Sequence, residues 1–207
     1  MAIRGLYAIT PDGADSARLL QLAARALEGG TRLLQYRNKS APPAQRLAEA
    51  RALVALASRH GARLIVNDDL ALALQVKAHG LHLGREDGEL AAARAAFPGL
   101  LGASCYDSLD LARRAAAAGA DYIAFGSVFP SPTKPGAVRA PLTLFAEARP
   151  LGLPTVAIGG ITLANAPQLV AAGADGLAVI SALFDAPEVA AAARAFNQLY
   201  AQEAAVR

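Results

Sequence analysis

A strand-and-helix unit recurs along the chain and limits the folds that it can adopt. The segment AAGADYIAFGS, residues 117–127, returns as AAGADGLAVIS, residues 171–181, and AHGLHLG, residues 78–84, is a fainter third copy. Each copy joins the end of an alanine-rich segment to a turn and a short apolar run, the pattern of a helix end followed by a strand. The repeat therefore indicates β and α elements that alternate along the chain.

Eight short apolar runs fit the strand half of this unit. They are uniformly apolar, as expected for parallel strands that are covered on both faces. Eight strands alternating with helices predict an α/β protein with a single (β/α)₈ TIM barrel over residues 1–207, and an open doubly wound sheet is the alternative. The predicted strands are residues 6–9, 33–36, 63–66, 80–83, 101–103, 122–125, 155–158 and 177–180.

Capping residues predict the bounds of two of the intervening helices. Ser40 is expected to cap a helix whose first turn contains two prolines and which ends at Gly61. Asp107 is expected to open a second helix that ends at Gly119.

Composition narrows the class of protein. The 207 residues are 54% hydrophobic, and 20 Lys and Arg against 17 Asp and Glu give a net charge of +3. These charges are scattered rather than gathered in a basic block, which argues against a nucleic-acid partner. The single cysteine excludes a disulfide within the chain, and no segment resembles a secretory signal or a membrane span. We therefore expect a cytoplasmic enzyme without a membrane partner, and a homo-oligomer is left open.

Polar residues follow almost every predicted strand, at the end of a barrel where active sites are built. Arg37, Lys39 and Lys134 supply cations there, and Asp68 and Asp87 supply carboxylates. Carboxylates are ligands for Mg²⁺, while Arg and Lys pair with phosphate oxygens, so this set suits a divalent metal that bridges a pyrophosphate.

A second phosphate site is predicted after the last two strands. IGGI, residues 158–161, and VIS, residues 179–181, lie where barrel enzymes often bind phosphate through backbone N–H groups. Two phosphate sites imply two phosphorylated substrates. The loop FPSPTKPG, residues 129–136, contains three prolines, which indicates a stiffened segment carrying two hydroxyls and an ammonium group.

Each of these features also has a structural explanation when it is taken alone. Arg37 and Lys39 could be solvated loop charges, and Asn67 and Asp68 could cap the next helix. The glycine pair after the seventh strand could form only a tight turn. Their joint occurrence at one rim favours the functional explanation.

The histidines and the cysteine are interpreted as structural. His60 is predicted at a helix end, and His79 and His82 flank or lie in a strand without the spacing of metal ligands. Cys105 follows Ser104 with no base placed to activate a thiolate, so a buried, inert thiol is favoured.

Seven ordered motifs resemble the thiamine phosphate synthase (thiamine-phosphate pyrophosphorylase) family over essentially the whole chain. They are GLYAIT, QYRNK, VNDDLALAL, GLHLGRED, GADYIAFGSVFPSPTK, VAIGGI and GADGLAVIS, with GAS at residues 102–104 between the fourth and the fifth. The resemblance implies a (β/α)₈ barrel that joins 4-amino-2-methyl-5-hydroxymethylpyrimidine diphosphate to a thiazole phosphate, giving thiamine phosphate and pyrophosphate.

The resemblance also implies the role of each site residue. Mg²⁺ would be held by Asp68 and Asp87. Arg37, Lys39, Ser104 and Lys134 would be catalytic. The pyrimidine diphosphate would be held by Gln35, Arg37, Lys39, Asn67, Ser104 and Lys134, and the thiazole phosphate by Ser131, Thr133, Gly160, Ile180 and Ser181. Three further residues, Tyr36, Asn38 and Pro132, would also bind substrate.

The chain departs from the family pattern at three positions. Asp69 stands where the family usually has Arg, Ser131 where it usually has Thr, and Cys105 where Thr is common. These changes bear on substrate affinity more than on the type of reaction.

Two other functions compete with this interpretation. The related thiazole tautomerase shares the barrel, but it has a catalytic His where this chain has Ser127 and usually lacks the Pro-Thr-Lys loop. A non-catalytic barrel that binds thiamine precursors is the second alternative, although it would have little use for a full set of metal ligands and cations.

Overall fold

Eight parallel strands close into a barrel in which every strand pairs with its neighbours in chain order and β8 pairs with β1. The computed structural model describes residues 3–13, 15–85, 88–130 and 138–206, the last five of these as backbone only. The (β/α)₈ prediction is confirmed, and the open sheet is excluded by the pairing of β1 with β8. The strands are β1 (Gly5–Ile9), β2 (Leu33–Tyr36), β3 (Arg63–Asn67), β4 (Gly80–Leu83), β5 (Leu100–Tyr106), β6 (Tyr122–Phe125), β7 (Thr155–Ile158) and β8 (Gly176–Val179).

Helices surround the barrel, and one 3₁₀ turn, Arg149–Leu151, precedes β7. None of the helices in the described part of the chain is long and apolar enough to cross a membrane. The helices are α1 (Ser16–Glu28), α2 (Pro43–Arg59), α3 (Leu70–Gln75), α4 (Leu90–Ala96), α5 (Leu109–Ala117), α6 (Thr143–Glu147), α7 (Ala166–Ala172), α8 (Ser181–Phe184) and α9 (Val189–Val206).

The predicted strands all exist, and their bounds differ by a few residues. β5 extends to Tyr106 because its pairing with β6 continues past a register shift between Ser104 and Tyr106. β8 begins at Gly176 and ends before Ile180, whose backbone leaves the extended region to start α8.

Both predicted helix caps are wrong by one or two positions. The hydroxyl of Ser40 bonds Asn38 and Asp12 instead of a helix N–H, and Pro42 occupies the N-cap. Ser108, one residue after Asp107, caps α5 by accepting a hydrogen bond from the Leu111 N–H at 3.2 Å. Side-chain chemistry alone did not distinguish these neighbouring polar residues.

Two hydrophobic cores explain why the strands are apolar throughout. One set of strand side chains packs outward against the helices, and the alternate set fills the barrel interior. The interior cluster of buried residues is Ile3, Tyr7, Ile9, Leu33, Ile65, Tyr122, Ala124, Val156 and Ala178.

The interior depends on a glycine in β5. Gly102 lies between His82 on β4 and Tyr122 on β6 in the sheet register. A Cβ atom at Gly102 would lie 2.0 Å from Cζ of Tyr122, so the phenol ring crosses β5 only because this side chain is missing. The His82 and Tyr122 rings stack above this position with centroids 5.6 Å apart.

The repeated segments perform the same structural task in each copy. Asp121, before β6, accepts a hydrogen bond from the Leu101 N–H at 2.7 Å, and Asp175, before β8, accepts one from the Thr155 N–H at 2.8 Å. In the third copy His79 takes this place, and its Nδ1 accepts from the Leu64 N–H at 3.1 Å. The repeat thus fixes the start of the preceding strand.

We expect Gly102→Ala to destabilise the barrel, because the new methyl group overlaps the Tyr122 ring. Overpacking of this kind costs about 1–3 kcal/mol, measured as the free energy of unfolding in urea. Gly176→Ala is the matched control, since the atom nearest to its new methyl group would be Val156 Cγ2 at 3.2 Å, against 2.0 Å for the Tyr122 ring at Gly102. Equal destabilisation by the two variants would contradict the steric explanation.

We expect His79→Asp to reduce the loss of stability between neutral and mildly acidic pH. Burial lowers the pKa of His79, and the Arg63 charge lowers it further. The unfolded chain therefore takes up a proton below about pH 6.5 that the folded chain resists, and stability falls as the pH decreases. Aspartate in this place copies Asp121 and Asp175 without titrating in that range. An unchanged pH profile of the unfolding free energy would rule out this role for His79.

Candidate active site

The loop that follows β2 brings two predicted cations to the rim of the barrel. The backbone of Arg37 is held by Thr10 at the end of β1, whose hydroxyl accepts from Arg37 N at 2.9 Å and donates to Arg37 O at 3.0 Å. Asp12 lies just beyond and binds Arg37 Nη1 at 2.8 Å and Lys39 N at 2.9 Å. The two cationic residues are thus held against the first loop.

Lys39 connects this loop to the loop after β3. Its Nζ lies 2.8 Å from Oδ2 of Asp68, the predicted metal ligand. Asp68 has a left-handed backbone with φ of 64°, and its N–H donates to the carbonyl of His82 at 2.8 Å. Asn67 is the last residue of β3 and lines the same opening. Residues predicted to bind the pyrimidine diphosphate and Mg²⁺ are therefore neighbours.

The extra carboxylate at Asp69 has a structural role and a partner. Its Oδ1 caps α3 by accepting from the Leu72 N–H at 2.9 Å, and its Oδ2 lies 3.3 Å from Arg46. Arg46 on α2 therefore partly offsets the negative charge of Asp69, which stands where the family pattern usually has Arg. A cavity of about 500 Å³ lies here, lined in part by Lys39, Arg46 and Asn67.

Tyr36 and Asn38, predicted to bind substrate, line the cavity and also donate side-chain hydrogen bonds to the buried carboxylate of Glu49. The Tyr36 hydroxyl donates to Glu49 at 2.6 Å and the Asn38 amide donates at 3.0 Å. Burial would raise the pKa of Glu49, but these two bonds and two more from Ser16 and Gln45 lower the pKa overall. These hydrogen bonds therefore attach the loop after β2 to α2, which carries Glu49.

The polar residues that face the barrel interior form a continuous chain. Gln35 Nε2 donates to Tyr7 Oη at 2.8 Å, and Tyr7 Oη lies 2.9 Å from Tyr122 Oη. His82 joins them, with Nδ1 3.1 Å from Tyr122 Oη and Nε2 2.9 Å from Ser104 Oγ. Two predicted substrate ligands, Gln35 and Ser104, are thus the two ends of one buried network.

Hydrogen bonds connect the start of the loop after β6 to the end of β7. Val128 N donates to Ile158 O at 3.0 Å and Phe129 N donates to Gly159 O at 3.1 Å. A Cβ atom at Gly160 would lie 2.1 Å from the Pro130 carbonyl oxygen, so only glycine permits this approach. The two loops predicted to hold the thiazole phosphate are therefore in contact.

The remaining predictions for the second phosphate site concern α8 and the proline-rich loop. Ile180 is the N-cap residue of α8, and Ser181 is its exposed first residue. Asp87 and the loop residues Ser131, Pro132, Thr133 and Lys134 lie outside the described residues.

Sequence reasoning missed several residues that organise the site. Asp12 follows β1 and obeys the same strand-end rule that identified the other rim residues, so this rule could have found it. Tyr106 gave no such signal, although its hydroxyl accepts from Arg85 N at 3.3 Å at the loop after β4 and its ring lies beneath the Arg85 guanidinium. Cys105 fits its prediction, because burial raises the pKa of the thiol to about 12.

The chain resembles known proteins along almost its whole length. The model of the thiamine monophosphate synthase family matches residues 6–183. Thiamine-phosphate synthase of Chromobacterium violaceum is 58% identical over 195 residues, which cover 93% of this chain and 94% of that protein. The thiamine-phosphate synthase of an Azoarcus species is 58% identical over 202 residues, covering 96% and 98%.

Solved structures agree with the sequence comparison. Thiamine phosphate pyrophosphorylase from Pyrococcus furiosus superposes with a TM-score of 0.85 at 34% identity, covering 97% of this chain and 96% of that one. A 3-hexulose-6-phosphate synthase superposes with a TM-score of 0.70 at 20% identity, covering 94% and 99%, and this likeness shows only a shared barrel fold. By its motifs, its closed barrel and these relatives, the chain belongs to the thiamine monophosphate synthase family.

Proposed function

We propose that this protein is a Mg²⁺-dependent thiamine phosphate synthase that couples 4-amino-2-methyl-5-hydroxymethylpyrimidine diphosphate to a thiazole phosphate. The observation that carries the proposal is the cluster at the rim, where Arg37 and Lys39 lie beside the carboxylate of Asp68. Cations and a carboxylate together suit a pyrophosphate with its metal ion, whereas a single phosphate would need no carboxylate. The relatives named above support the same activity.

A carboxylate oxygen of Asp68 suits a magnesium site at the rim. The carboxylate of Asp68 faces the opening and is partly exposed, and the backbone bond to His82 fixes its position. Asp68, with Asp87, would hold Mg²⁺, and a bound Mg²⁺ would neutralise charge on the pyrophosphate. Lys39 would then exchange its bond to Asp68 for the phosphate oxygens.

The coupling breaks the bond between the pyrimidine methylene carbon and the bridging oxygen, and the electron pair leaves with pyrophosphate. Arg37, Lys39 and Lys134 would stabilise the charge that accumulates on this leaving group. The methylene carbon becomes positively charged, and the amino group of the ring donates electron density to it. The thiazole nitrogen then forms the new C–N bond, so the protein needs no nucleophile.

The thiazole phosphate would lie between the loops after β6, β7 and β8. Gly160 follows β7, and Ile180 and Ser181 start α8 directly after β8, the strand that pairs with β7. We propose that Ser131, Pro132 and Thr133 complete this subsite. The contact between the loops after β6 and β7 would lower the entropic cost of holding both substrates together.

We expect purified protein to release pyrophosphate only when both substrates and Mg²⁺ are present. Thiamine phosphate should form in equal amount, and a chelator should stop both products, because the metal and cations act on the leaving group. A thiazole tautomerase would convert its substrate without pyrimidine diphosphate or Mg²⁺, and a binding protein would turn over neither. Either of those results would contradict the proposal.

We expect Asp12→Asn to lower kcat/KM for the pyrimidine diphosphate by about tenfold, because Arg37 loses a charged hydrogen-bond partner. The KM for the thiazole phosphate should change little. Asp110→Asn is the matched control, since it breaks an ion pair of similar length with Arg113 on the outer face of α5. If Asp12→Asn has no more effect than the control, Asp12 does not organise the rim.

A further inference from the structure

A series of hydrogen bonds in the barrel interior joins a residue of β2 to a residue of β5 through three residues that are not among the predicted substrate ligands. Gln35 and Ser104 are its ends, and Tyr7, Tyr122 and His82 are its middle members. The two tyrosines and Gln35 are each no more than 3% exposed, and His82 is 7% exposed. Buried donors and acceptors must find their partners within the protein, so the direction of each hydrogen bond limits the direction of the next.

The direction of the chain follows from counting hydrogens. Burial raises the pKa of both phenols, so Tyr7 and Tyr122 are neutral and each has one hydrogen to donate. Tyr7 already accepts from Gln35, and among the described residues the other partner of its hydroxyl is Tyr122. The Tyr7 hydrogen therefore points to Tyr122, and the Tyr122 hydrogen points to Nδ1 of His82.

This order determines the tautomer of His82 and the role of Ser104. Because Nδ1 accepts from Tyr122, the neutral imidazole carries its hydrogen on Nε2 and donates it to Ser104 Oγ at 2.9 Å. The hydroxyl hydrogen of Ser104 then remains to be donated elsewhere. At the other end, the Gln35 amide nitrogen donates to Tyr7, and the amide oxygen remains available as an acceptor.

The reversed order would give the opposite ends. If the Gln35 oxygen faced Tyr7, Tyr7 would donate to it and Tyr122 would donate to Tyr7. His82 would then carry its hydrogen on Nδ1 and donate it to Tyr122. Gln35 would then offer N–H groups as donors, and the Ser104 hydroxyl would donate to Nε2 of His82. The three middle residues therefore couple the two ends, so that one end offers a donor whenever the other offers an acceptor, and the Gln35 amide that donates to Tyr7 selects the first order.

We propose that Tyr7, Tyr122 and His82 are positioning residues that hold Gln35 as an acceptor and Ser104 as a donor, and thereby select a 4-aminopyrimidine over a 4-oxopyrimidine. This inference rests on the proposed function. The amino group is a donor suited to the Gln35 oxygen, whereas an oxo group in its place offers a second acceptor. A site whose polar groups are fixed in advance rejects the wrong pattern because a buried group is left unpaired.

Nitrogen-15 NMR of the histidine side chains tests the direction of the chain without any substrate. At about pH 8, where imidazole is neutral, we expect His82 to carry its hydrogen on Nε2. Gln35→Glu should move that hydrogen to Nδ1, because an ionised carboxylate can only accept from Tyr7. Tyr200→Phe is the control and should leave the tautomer unchanged, since the Tyr200 hydroxyl on α9 donates to the Ala174 carbonyl oxygen at 3.0 Å, outside the barrel interior. A hydrogen on Nδ1 in the wild type, or no change in Gln35→Glu, overturns the proposal.

Binding measurements test the selection. Tyr122→Phe removes the acceptor for the Tyr7 hydrogen, which should turn to the Gln35 oxygen and so reverse the amide. We expect the ratio of the dissociation constants for the 4-oxo and 4-amino pyrimidine diphosphates to fall by about tenfold, measured by calorimetry without the thiazole phosphate. Tyr200→Phe, the same control, should keep the wild-type ratio. An unchanged ratio in folded Tyr122→Phe overturns the selection.

These measurements separate the inference from the function on which it rests. A wild-type protein that forms thiamine phosphate but has the Nδ1 tautomer would retain the function and lose the inference. A protein that forms none, yet shows the tautomer and its change in Gln35→Glu, would lose the proposed function and retain the hydrogen-bond order.

Discussion

The absence of a side chain at Gly102 is the constraint on which the interior of this barrel depends. It leaves the space through which the Tyr122 ring crosses β5, stacks on His82 and reaches Tyr7. Interiors of barrels of this type are otherwise filled by branched aliphatic side chains. Here one missing Cβ allows two phenols, an imidazole and an amide to meet in one series of hydrogen bonds inside the barrel.

The rim is organised by a different kind of interaction, in which charges from neighbouring loops bind each other. Asp12 holds the loop after β2, and Lys39 of that loop binds Asp68 of the next. Partly exposed ion pairs of this kind contribute little to stability. Their value is geometric, because they hold cations and a carboxylate close together while leaving them free to exchange partners with an anionic substrate.

The internal repeat explains how the strands beneath this rim are aligned. The aspartates before β6 and β8 accept from an N–H group in the first two residues of β5 and β7, and His79 performs the same task for β3. The repeat was visible in the sequence as a pattern of helix end, turn and strand. The structure gives its physical reason, because Asp121, Asp175 and His79 occupy equivalent positions directly before β6, β8 and β4.

The sequence by itself determined the alternation of strands and helices, the apolar character of the strands and the loops that bear polar residues, because these depend on local composition and period. It also placed Arg37, Lys39 and Asp68 at one rim through the strand-end rule. Only the tertiary structure decided the closure of the barrel, the turning of Tyr36 and Asn38 toward Glu49, and the meeting of Gln35 with Ser104 through Tyr7, Tyr122 and His82. The hydrogen bonds of the barrel interior join residues up to 115 positions apart, and their formation depends on strand register and on the space left at Gly102, which no local pattern encodes.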